Sequence, residues 1–70
     1  MKVDFSQAAL NIRSSGLSLQ AASKMLGWNR GKMAQIARGE VIDPGFHAGI
    51  ELLDLHFDRC GDVKTRELLK

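Results

Sequence analysis

The chain has 70 residues, of which 44% are hydrophobic and 26% charged, and carries a formal net charge of +2. That is enough for one domain around one core, and the balance of apolar and charged residues excludes a disordered chain. No apolar run reaches the length of a membrane span, and residues 1–10 lack the basic start and long apolar centre of a secretion signal. One cysteine, Cys60, and two histidines, His47 and His56, exclude a disulfide framework and suggest no zinc site. The expectation is a cytoplasmic protein without metal, cofactor or small-molecule ligand.

Asp4 followed by Gln7 is a capping-box pattern, Val3 and Ala8 can staple the entry, and Gly16 can close the segment. This predicts a first helix over about 4–15 with Phe5, Ala8, Ala9 and Ile12 facing inward. Ser18 is an N-cap for a second helix ending at Leu26, with Leu19, Ala22, Ser23 and Leu26 on one face and Gly27 left-handed beyond it. Asn29 then caps a third helix through Arg38, with Met33, Ile36 and Ala37 inward and Gly39 ending it.

Asp43-Pro44 reads as a cap followed by proline at the first helical position, so a fourth helix is expected from 44 to about 58. Its core stripe is expected to be Phe46, Ile50, Leu53 and Phe57, which leaves Ala48, Leu52 and Leu55 as a second apolar stripe in need of cover. The alternation Phe46, Ala48, Ile50, Leu52 also permits a strand, but Leu52-Leu53 breaks it, and Leu, Glu and Ala favour helix. His47 and His56 mark the solvated edge of this helix, and Asp62 caps a short last helix carrying Val63, Leu68 and Leu69. The expected fold is all-α, a compact bundle of about five short helices.

Charge is polarised along the chain. Residues 1–39 hold six basic residues against Asp4, a net +5, whereas residues 40–70 hold four against seven acidic residues, a net −3. A basic half on a small domain suggests a polyanion facing it, with the acidic half turned away; ordinary solvated charge is the other reading.

The order "GLSLQAASKMLGWNRGKMAQIARGE" resembles the helix-turn-helix of the lambda-repressor-like family, which includes the phage Cro and CI proteins and the XRE-type regulators. The resemblance rests on the small residue Ser23 four before the turn glycine, on Gly27 itself, on apolar Trp28 after it, and on inward Met33 and Ile36. Ser23 stands where the family usually has alanine, and Leu19 where a glutamine often touches the DNA backbone. An arginine–glutamate pair common among relatives has no counterpart, since Ala37 sits near the glutamate's place.

The resemblance implies a helix-turn-helix over 18–38, whose second helix lies in the major groove of double-stranded DNA. Base reading then falls to Asn29, Arg30, Gly31, Ala34 and Gln35, with Arg30 suited to guanine O6 and N7 and Gln35 to adenine N6 and N7. Phosphate contacts fall to Ser18, Gln20, Lys24, Lys32 and Arg38. Trp28 is a core plug beside the turn rather than a base-stacking ring. A homodimer is expected through residues 44–70, with Leu52, Leu55, Leu68 and Leu69 at its interface.

No phosphate loop, carboxylate pair or activated nucleophile points to an enzyme. The function expected is a small dimeric repressor of Cro type at inverted half-sites, with autoregulation as one option. Phage repressors, antitoxins that control their own operons and regulators of small inhibitor operons all fit. The alternative is a protein-docking module of the same fold, such as an antitoxin or inhibitor.

Overall fold

Residues 2–69 are described by the computed structural model, and their regular structure is five helices: α1 Phe5–Ser14, α2 Leu19–Met25, α3 Lys32–Ala37, α4 Phe46–Cys60 and α5 Asp62–Glu67. The fold is all-α. Helix α1 is its centre, packing against α2, α3 and α4, while α5 packs on α4. The core comprises Ala8, Ala9 and Ile12 of α1, Ala22 of α2, Met33 and Ile36 of α3, Leu52 and Leu55 of α4, and Leu68 just beyond α5.

Local chemistry explains where the first two helices begin. The Asp4 carboxylate accepts the Gln7 N–H at 3.0 Å, and the Ser18 hydroxyl accepts the Ala21 N–H at 3.1 Å. Both α2 and α3 end in Schellman turns, with Trp28 N–H donating to Ser23 C=O and Glu40 N–H to Gln35 C=O. Each turn needs its glycine, because Gly27 (φ +71°) and Gly39 (φ +80°) are left-handed.

Helix α3 starts later than the sequence suggested. Asn29, Arg30 and Gly31 form a turn, with the Asn29 carbonyl accepting the Lys32 N–H at 3.0 Å, and the N-cap position belongs to Gly31. The side-chain cap comes from another helix. The buried Ser23 hydroxyl on α2 accepts the Met33 N–H at 3.0 Å, so the helix is capped from α2 and not by Asn29. Ser23→Ala should therefore lower stability by about 1–3 kcal/mol, since the Met33 N–H stays buried without an acceptor. A urea titration followed by circular dichroism measures this, and an unchanged midpoint would show that the bond contributes nothing.

Helix α4 also differs from expectation at its start. The Asp43 carboxylate accepts the Gly45 N–H at 2.9 Å, holding Asp43-Pro44-Gly45 in a turn, so Pro44 stays outside the helix and Gly45 (φ +94°) precedes it.

The larger correction concerns which face of α4 is buried. Leu52 (0% exposed), Leu55 (7%) and Ala48 face the core, whereas Phe46 is 77% exposed, Phe57 50% and Ile50 44%. Leu53 is half-buried. Leu52, Leu55 and the buried Leu68 are therefore core residues and unavailable to a dimer partner. Close packing rather than total hydrophobicity selects the face. Gly49 lets α4 approach α1 so nearly that a Cβ there would lie 3.1 Å from the Phe5 ring.

His56 is the polar member of that buried face rather than a solvated edge. The Thr65 hydroxyl donates to Gly61 C=O at 2.8 Å, so it accepts from His56 Nδ1–H at 2.8 Å. Nε2 then accepts from Asn11 Nδ2 at 3.1 Å, and Asn11 Oδ1 accepts from Gln7 Nε2 at 2.8 Å. This chain of hydrogen bonds ties α1, α4 and α5 around a neutral imidazole. Burial first, and the positive Lys64 second, hold the His56 pKa below its ordinary value.

Above about pH 6.5 the imidazole is neutral in both folded and unfolded chains, and no linkage acts. Below it the unfolded chain takes up a proton that the fold resists, so stability falls with pH until the lowered folded-state pKa is reached. Urea midpoints should drop between pH 7.5 and pH 5.5, and His56→Gln should flatten that dependence.

The chain ends are held together. Asp4 N–H donates to Leu68 C=O at 2.9 Å, and Val3 and Leu69 form an antiparallel bridge. Val63 is exposed on α5. Leu69 retains 43% exposure. Among the described residues no helix is long and apolar enough to cross a membrane.

Candidate nucleic-acid interface

The surface formed by α2, α3 and the turn between them carries two shallow depressions that hold several of the predicted contact residues. Because α3 begins only at Lys32, the exposed Asn29, Arg30 and Gly31 lead into the helix from a turn. Asn29, Gly31, Lys32 and Gln35 line one shallow depression with Val41. Arg30 lines a neighbouring depression with Gln20, Lys24 and Trp28.

Seven of the predicted residues therefore fall into two groups, and Ser18, Ala34 and Arg38 belong to neither. Gln35 with Asn29 and Gly31 forms the outward edge of α3, whereas Arg30 joins two residues expected to meet phosphate. Ala34 is half-buried and lines neither depression.

Several of these side chains already have partners. The Lys32 ammonium lies 4.5 Å from the centre of the Trp28 ring, a cation–π contact that fixes where the charge sits. Trp28 is half-buried and packs against the core. The Arg38 guanidinium pairs with the Glu40 carboxylate across the Gly39 turn. That hydrogen bond, and then the charge attraction, raises the Arg38 pKa and lowers that of Glu40. Glu40 thus neutralises one of the expected phosphate cations.

The Ser18 hydroxyl is occupied by its own helix, accepting the Ala21 N–H. Lys24 and Arg30 make no ion pair among the described residues. Neither does Arg13.

Gly31 is informative because the fold does not require it. Its φ of −95° suits any residue, and a Cβ there would meet nothing within 4 Å. At an N-cap position glycine also costs little compared with a helix interior.

Sequence reasoning missed the Trp28–Lys32 contact, the Arg38–Glu40 pair and the Ser23 cap. Only the Arg38-Gly39-Glu40 order, opposite charges flanking a helix-ending glycine, carried a signal that could have shown one of them. In comparisons with known proteins, no family model, no curated protein and no solved structure matches this chain.

Proposed function

We propose that the protein is a sequence-specific double-stranded-DNA-binding regulator, a small repressor that occupies a promoter as a homodimer on inverted half-sites. The observation that carries this reading is the grouping of exposed Asn29, Gly31 and Gln35 with half-buried Lys32 at the start of α3 and the turn before it, beside Arg30 and Lys24, which make no ion pair among the described residues, within the half of the chain that carries the positive charge. Polar side chains with free hydrogen-bonding capacity can read base edges, and flanking cations can meet phosphates. The acidic residues Asp54 and Asp58 lie exposed on α4, where they repel DNA and favour one orientation. Gly31 supports the reading further, since the close approach of a duplex is a demand that the fold itself does not make.

The experiment is selection of bound duplexes from a random pool, followed by affinity measurements on the enriched sequence. A short inverted repeat should be enriched. On that site Gln35→Ala should cost about 1–3 kcal/mol and relax one or two base pairs, leaving affinity for random duplex nearly unchanged. Equal losses on both duplexes would remove Gln35 from base reading, and a pool without enrichment would refute sequence-specific binding.

A further inference from the structure

We infer that α4 is the self-association surface of the protein, two copies pairing their α4 helices antiparallel about a two-fold axis level with the Glu51–Leu52 peptide. The occupant is argued from the helix itself. Exposed Phe46, Ile50 and Phe57, with Leu53 half-buried at the edge of the core, form one stripe at spacings of four, three and four. That spacing reads the same in both directions, so one antiparallel register sets Phe46 against Phe57 and Ile50 against Leu53, twice over. A two-fold interface requires this self-complementarity, because each contact must recur with the copies exchanged.

Shape and charge agree with the same register. Phe46, Gly49, Ile50 and Leu53 line one apolar depression, with Phe5 beside Gly49. Positions at i, i+3, i+4 and i+7 form the hole that receives a side chain from a facing helix. The register brings Leu53 of the other copy over it.

On the flank of the stripe, His47 of one copy falls level with the midpoint between Asp54 and Asp58 of the other. All three are exposed and lie on the same side of the helix. An imidazole between two carboxylates is a favourable pairing that a parallel arrangement would not produce. Glu51 lies farther round, and both it and His47 border the depression containing Lys32.

The pairing does not rest on the DNA reading and is tested without DNA. Sedimentation of the full chain over a range of concentrations should show monomer and dimer in equilibrium. Ile50→Lys should weaken association at least about 30-fold with the helical circular dichroism intact. His47→Lys should tighten association and His47→Glu weaken it.

With Cys60→Ser in both partners, a mixture of Ile50→Cys and Leu53→Cys chains should cross-link mainly between the two kinds. Cross-linking of each kind with itself would overturn the antiparallel register. A wild-type chain that stays monomeric throughout, or an Ile50→Lys dimer as tight as the parent, would overturn the surface. Either result leaves DNA binding by a monomer open to separate measurement.

Discussion

Leu52→Ala is expected to destabilise the protein by about 2–5 kcal/mol, and Leu52→Lys to leave no folded population at 25 °C. The Leu52 side chain is fully buried on the face of α4 that meets α1, with Leu55, Ala48 and His56 around it. Deleting it removes apolar contacts and opens a cavity; placing an ammonium there buries a charge with no carboxylate to receive it. A domain of this length has a total stability of only about 4–10 kcal/mol, so the lysine variant exceeds what the fold can tolerate. Thermal and urea unfolding by circular dichroism check both variants. A folded, merely monomeric Leu52→Lys protein would restore Leu52 to the surface and contradict the assignment of faces made here.

Ile50→Lys acts on the opposite face with a different result. The fold should survive, since Ile50 is 44% exposed, but affinity for a two-half-site duplex should fall roughly 10²–10⁴-fold because the second α3 no longer binds as part of the same molecule. Affinity for a single half-site should not change, as every base contact is intact. The two half-sites should be centred about 34 Å apart, one helical turn, or a multiple of it. Titrating full and half-site duplexes with parent and variant measures both quantities. Equal affinity of the two proteins for the full site would show that dimerisation through α4 contributes nothing to DNA binding.

The helices were legible in the sequence where their signals are local. Asp4 and Ser18 cap as their positions suggest, Gly27 and Gly39 take the left-handed turns, and the inward residues of α1 to α3 follow from three- and four-residue spacing. What escaped depends on contacts between elements. Nothing near Met33 in sequence shows that Ser23 caps it, ten residues earlier and on another helix. Helix α4 offered two stripes of helical period, and the more hydrophobic one was the wrong choice. The buried stripe contains Gly49, whose smallness allows close approach to Phe5, and His56, whose polarity is satisfied by Asn11 of α1 and Thr65 of α5. Of the contact surface, the outward residues could be read from spacing, whereas the neutralisation of Arg38 by Glu40 and the seating of Lys32 on Trp28 required side-chain positions.

The measurement that bears most directly on the central claim is the salt dependence of binding to the enriched duplex. If Lys24, Arg30 and Lys32 of two copies meet phosphates, the logarithm of the association constant should fall with the logarithm of salt concentration with a slope of about −5. Lys24→Ala should make that slope shallower by about two, one phosphate contact in each copy. A slope near zero, or one that the substitution leaves unchanged, would contradict an interface built on this surface.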